Sequence, residues 1–265
     1  MSQNHQILSN HSYEELESLA EWFELYGPIP TIIGGWAVYF YNPYYGSVDI
    51  DLVGPSMGGS FMKVLTDFEV YNGYEEYFLD NLGFIKSYRK NVVDNMKQVG
   101  YIIIDACTYE ENIGEFKEDF TKKLPFELCD EYKTELTLQN DKPIVVPQKE
   151  LLLLYKLKAF RDRSYYYNIN RGILSPSDAT WIEGKIIKDG SDVLALLDDR
   201  YNMGLIPYRP IDHKIIKELL NRFSLHFILK SFDEITNNDR CLNLYRGIDL
   251  ASSKAWVNTL IQKIT

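Results

Sequence analysis

The stretch Ser47-Val48-Asp49-Ile50-Asp51-Leu52 alternates polar and aliphatic side chains without a break. A period of two is a strand's pattern, because successive side chains point to opposite faces. Val48, Ile50 and Leu52 therefore belong against a core, while Asp49 and Asp51 stand together on the other face. Two carboxylates at that spacing repel each other and are costly unless a cation neutralises them. Oxygen-only ligands on one ridge suit Mg²⁺, which keeps several waters and takes its remaining ligands from phosphate. Just upstream, Pro30–Ile33 reads as a short strand, followed by Gly34-Gly35 and a brief helix from Trp36 to about Tyr41, closed by Asn42-Pro43. A glycine pair between strand and helix lets backbone approach a ligand, and the helix amides beyond it suit an anion. Ser47 adds a hydroxyl beside them.

Around this centre the pattern is mixed. Tyr13–Tyr26 has a helical period, with Leu16, Leu19, Trp22 and Phe23 on one face, Ser12 and Glu15 as a capping box, and Gly27-Pro28 as its end. Gly54–Ser60 is loop-like and Phe61–Phe68 helical. Gly83–Arg89 and Tyr101–Cys107 read as strands, with Lys90–Lys97 as a charged turn between them. Glu110–Thr121 reads as a loop or exposed helix, and Leu136–Val146 as extended pairing that ends at Pro147. From Gln148 onward the period is helical: Leu152–Arg163, Ser191–Arg200, His213–Phe223, Phe227–Ile235 and Ser252–Ile264. The expected architecture is α+β, with an α/β domain built on a mixed sheet over residues 1–147 and a mostly helical domain over 148–265.

Composition narrows the classes further. No apolar run approaches the roughly 20 residues of a membrane helix, and the start MSQNHQILSNHS lacks the pattern of a secretory signal. The three cysteines (Cys107, Cys129, Cys241) have no CxxC spacing, so a reducing, cytoplasmic compartment is expected. The four histidines are scattered and read as structural. A net charge of -10 argues against indiscriminate nucleic-acid binding. Locally, residues 148–171 carry Lys149, Lys156, Lys158, Arg161, Arg163 and Arg171 against Glu150 and Asp162.

GGWAV followed by SVDIDL resembles the signature of the nucleotidyltransferase superfamily related to DNA polymerase β: a glycine pair, a short helix, then [ST]-x-D-x-D. The resemblance implies that Asp49 and Asp51 hold divalent metal, Mg²⁺ or Mn²⁺, and that Gly34, Gly35 and Ser47 contact the phosphates of a nucleoside triphosphate. It also implies a third catalytic carboxylate on a neighbouring strand. Asp105, at the end of the β-branched run Tyr101–Ala106, is the best candidate, ahead of Asp80 and Asp94.

A second segment, Lys156 to Arg163 and then Lys188-Asp189-Gly190-Ser191-Asp192, is similar to the K-L-x-A…R…K-D-x-x-D pattern of abortive-infection and type IV toxin-like nucleotidyltransferases. This implies a nucleotide-binding role for Lys156, Arg163, Lys188, Asp189 and Asp192, with Lys156 and Arg163 as a basic stripe facing the triphosphate. Two departures stand out. Gly46 occupies a place where many relatives carry arginine, and Ser164–Ile187 is a longer segment than usual, read as a lid, a base-stacking platform or a packed excursion.

The implied reaction is transfer of a nucleoside monophosphate from a triphosphate to an acceptor hydroxyl, with release of pyrophosphate. The acceptor stays open between tRNA, a small molecule and a protein, and an antitoxin-like partner is among the expectations; no membrane partner is. The alternative is a non-catalytic nucleotide-binding module, toxin-like or regulatory; an adaptor with a structural cation is the blander reading.

Overall fold

The structure, a computed structural model, describes residues 3–55, 60–77, 86–109, 114–198, 200–201, 204–207 and 209–264. In chain order its elements are α1 (Gln3–Tyr26), β1 (Thr31–Ile33), α2 (Gly34–Tyr41), β2 (Asp49–Gly54), α3 (Ser60–Tyr71), β3 (Glu75–Glu76), β4 (Lys86–Asp94) and β5 (Lys97–Thr108). There follow β6 (Glu115–Phe116), β7 (Asp119–Lys123), α4 (Leu128–Glu131), β8 (Lys133–Thr137) and β9 (Pro143–Pro147). The remainder is α5 (Lys149–Asn170), α6 (Pro176–Leu197), α7 (His213–Arg222), α8 (Ser231–Thr236), α9 (Asp239–Leu244) and α10 (Leu250–Ile264). The architecture is α+β, and the chain divides into two compact units: Met1–Ile113 with Pro125–Gln148, and Gly114–Leu124 with Lys149–Thr265.

The first unit is built on a mixed sheet of order β3-β4-β5-β2-β1-β9-β8. Strand β2 runs antiparallel to β1 and parallel to β5, and β1 runs parallel to β9. The expected turn at Lys90–Lys97 is mostly strand: Lys90 pairs with Ile102 and Val92 with Gly100, so β4 and β5 form a long hairpin. Only Asn95-Met96 turn, both at positive φ (48° and 61°). That two-residue geometry matches the twist of the flanking strands. Lys90 lies on the same face as the buried Val92 and is paired with Glu15 of α1 at 2.5 Å, so its charge does not mark a turn.

Helix α1 begins at Gln3, ten positions before the expected Tyr13. Ser12 is not its cap. It lies fully buried inside the helix and accepts a hydrogen bond from Trp36 Nε1 at 3.0 Å. Ser9, Ser12, Leu16, Leu19, Ala20 and Phe23 form the buried face, whose three- and four-residue spacing is helical. The polar serines hid the first part of this face from a hydrophobicity pattern.

The segment Gly114–Leu124, expected in the N-terminal domain, belongs to the second unit. There β6 and β7 pair as a hairpin, and Phe116 packs edge-on against Phe227 with ring centroids 5.1 Å apart. The Lys117 amide donates to Asp162 Oδ1 at 2.9 Å. In the expected Glu110–Thr121 and Gly54–Ser60 loops, residues 110–113 and 56–59 lie outside the described residues, as do residues 83–85 of the expected strand.

The second unit centres on α5 and α6, joined by a short turn. Ser175 caps α6 by accepting from the Asp178 amide at 3.1 Å, with Pro176 at the first helical position. This helix was expected to begin at Ser191 and begins fifteen residues earlier. Ser164–Ile187 is therefore mostly helical. It is the last part of α5, a turn and the first part of α6. The expected Phe227–Ile235 helix is a 3₁₀ turn, His226–Lys230, running into α8.

Candidate active site

Strand pairing decides where the acids stand. Across the parallel β2–β5 pair, Asp51 lies opposite Asp105 and Asp49 opposite Ile103. Opposed residues in adjacent strands share a face, so Asp49, Asp51 and Asp105 project from one side of the sheet. Ile50, Leu52, Ile104 and Ala106, the alternate positions, are all essentially buried. The three acids are only partly buried. A shifted register by one residue would have sent Asp105 to the core face.

Strand β1 borders the other side of β2, with Ile33 opposite Asp51, and α2 starts at the next residue. Gly34 has φ +69°, and a Cβ there would fall 1.8 Å from Asp51 Oδ2. Glycine is therefore required twice, by the left-handed backbone and by the carboxylate beside it. Ile33, at the cap position, makes no side-chain hydrogen bond to the helix start. Gly35 is buried in the first turn, and Ser47 lies partly buried just before β2, two residues from Asp49.

The departure at Gly46 has a local cause. A Cβ there would meet Ser9 Oγ at 1.9 Å, and His5 Nε2 lies 3.1 Å from the Gly46 carbonyl. A side chain at position 46 would have to displace the Ser9 hydroxyl of α1.

One residue escaped the sequence reading. Ser87 on β4 stands opposite Asp105 on the side away from β2, and its hydroxyl donates to Asp105 Oδ1 at 2.5 Å. Nothing in the local sequence marks it, because only the β4–β5 register brings it there. Of the other acids considered, Asp94 pairs with Lys97 at the hairpin turn, eight residues along β5 from Asp105. That is about 26 Å of strand, too far to join the ridge. Asp80 lies outside the described residues.

The donor set is all oxygen. Among the described residues no three His, Cys, Asp or Glu side chains close into a metal cage. An open ridge of carboxylates still fits Mg²⁺, which binds through one or two carboxylates, waters and substrate phosphates rather than inside a protein cage. Because position 34 is glycine, the Asp51 carboxylate can lie directly against the start of α2.

In the second unit the structure brings Lys156, Arg163, Lys188, Asp189 and Asp192 together between α5 and α6. Lys156 Nζ lies 2.7 Å from Asp192 Oδ2 and 3.2 Å from Asp189 Oδ1, and Lys188 Nζ lies 2.5 Å from Asp192 Oδ1. Arg163 pairs with Asp189 Oδ2. Lys156 is not on an exposed basic stripe, since Leu151–Leu157 is buried on every side of the helix. Burial alone would raise the Asp192 carboxyl, but the two ammonium groups hold it below the ordinary carboxylate range. Of the five, Arg163 reaches the surface most, with 40% of its side chain exposed.

The basic excess over residues 148–171 is also partly cancelled. Lys158 pairs with Asp162 at 2.5 Å, and Arg161 pairs with Glu118, which the β6–β7 hairpin supplies.

No protein-family model matches the sequence, and no curated protein matches it. Among solved structures, the chain is similar to the crystal structure of an antigenic nucleotidyltransferase-like protein from Paracoccidioides brasiliensis, at 15% identity and a TM-score of 0.41, over 92% of this chain and 97% of that one. A likeness that distant assigns no function.

Proposed function

We propose that this chain is a metal-dependent nucleotidyltransferase, moving a nucleoside monophosphate from a nucleoside triphosphate to an acceptor hydroxyl and releasing pyrophosphate. The observation that carries the reading is the register: Asp51 opposite Asp105, with Asp49 on the same face and the glycine-opened start of α2 alongside. Asp49, Asp51 and Asp105 would hold Mg²⁺ or Mn²⁺. Bound there, divalent cations neutralise triphosphate charge and polarise the phosphorus under attack.

The chain's own groups do the rest. Amides at Gly34 and Gly35 and the Ser47 hydroxyl would hold phosphate oxygens. Asp105 accepts the proton of the acceptor hydroxyl as that oxygen bonds to the α-phosphorus, and the bond to the leaving pyrophosphate breaks. The acceptor class (tRNA, small molecule or protein) belongs to the test below. A cytoplasmic setting is part of the same proposal, supported by three cysteines with no CxxC spacing. Among the described residues no helix is long and apolar enough to cross a membrane.

A second reading, a non-catalytic nucleotide-binding module acting through an antitoxin-like or other protein partner, is favoured by one observation. The cations assigned to the nucleotide, Lys156 and Lys188, are already paired with the chain's own carboxylates. Incubation with each α-labelled triphosphate, Mg²⁺ or Mn²⁺ and total RNA, small hydroxylated compounds or protein separates the two. Transfer of label by the wild type, abolished in Asp51→Ala, supports the enzyme. Binding of triphosphate with no transfer to any acceptor supports the module, and a wild-type rate in Asp51→Ala sinks the site assignment.

A further inference from the structure

We infer that Ser87 is a positioning residue for Asp105, fixing the carboxylate that the proposed activity gives to a divalent cation; the inference rests on that reading of the acid ridge. Asp105 is flanked differently on its two sides. On β2 stands Asp51, a like charge, and on β4 stands Ser87, a donor. Unrestrained, a carboxylate beside another would turn away from it. A hydrogen bond from Ser87 to Oδ1, at 2.5 Å, instead holds the Asp105 side chain in one orientation.

The residue type supports this. Serine fits a sheet less well than a β-branched or aromatic residue, and Ser87 is only 5% exposed, so water is not its main partner. A buried hydroxyl needs an acceptor, and a charged one gives the stronger bond. In this role Ser87 acts through the Asp105 carboxylate, to which its hydroxyl donates, and is not itself a ligand.

Ser87→Thr and Ser87→Val test the idea as a pair, because the two side chains share shape and β-branching and differ only in the hydroxyl. The readout is Mn²⁺ binding to the full chain, followed by the free-ion paramagnetic resonance signal, with thermal midpoints measured without metal to confirm folding. Ser87→Thr is expected within about threefold of wild type, and Ser87→Val to bind Mn²⁺ about 10–100-fold more weakly, in line with losses from groups that support metal ligands. In the transfer assay Ser87→Val should lower kcat with little change in KM for the triphosphate.

Equal Mn²⁺ affinity in folded Ser87→Val and Ser87→Thr overturns the inference while leaving the site intact. If the wild type binds no Mn²⁺, or binds it unchanged after Asp49→Ala and Asp51→Ala, the metal reading itself fails and the role of Ser87 falls with it.

Discussion

Replacing Gly34 by alanine would put a carbon 1.8 Å from Asp51 Oδ2 while forcing φ +69° on an L-residue. The backbone term alone is about 1–2 kcal/mol, and the carboxylate must also move. Gly34→Ala is expected to lower the unfolding free energy in urea by about 1–3 kcal/mol and to weaken Mn²⁺ binding. A different single-residue prediction concerns Asp198, which is buried and accepts from Arg200 and from the Tyr245 hydroxyl at 2.7 Å. Burial would raise its carboxyl, but these donors hold it below the ordinary range. A depressed folded value means that the stabilisation is present above the unfolded value of about 3.9 and is lost as pH falls through the folded one. Tyr245→Phe should therefore cost about 1–2 kcal/mol near pH 6, with the difference from wild type shrinking as urea titrations move toward pH 2.5. Cys241 gives a chemical check. Burial pushes its thiol up to about 12, so it should resist thiol reagents at pH 8 until the chain unfolds.

Between α5 and α6, two lysines converge on Asp192 inside a core that offers few alternatives. Asp192→Asn would leave both ammonium groups short of their shared counter-charge. Breaking a buried pair in this way costs about 3–5 kcal/mol. The loss should appear in urea unfolding and should change little between low and high salt, because buried pairs are poorly screened. The helices themselves were legible to unequal degrees. His213–Arg222 alternates sharply between apolar and charged faces and was read nearly to the residue. Helix α1 was read only from Tyr13, because Ser9 and Ser12 occupy core positions that a hydrophobic period does not count. The early start of α6 was missed despite Ser175-Pro176, a capped beginning that the sequence does contain.

For the molecule as a whole, the chain passes from the first unit into the second at Gly114, back at Pro125, and out again at Lys149. The short hairpin is a full part of the second unit's core, since Phe116 is completely buried. Phe116→Ala is expected to cost about 3–5 kcal/mol, as other buried phenylalanines do, measured as a fall in unfolding free energy of the intact chain. The sequence alone determined the alternating acid strand, a glycine pair beside a short helix (which in fact begins at Gly34 rather than Trp36), and the change to helical period after Pro147. Each is a local matter, set by side chains within a few residues of one another. Only the tertiary structure decided that Asp105 faces Asp51, that Ser87 supports it from the far side, that Gly46 must make room for Ser9, and that Lys156 is neutralised by an aspartate 33 residues away. Those pairings follow from strand register and helix packing, which the burial of distant apolar surface selects and which no local spacing records.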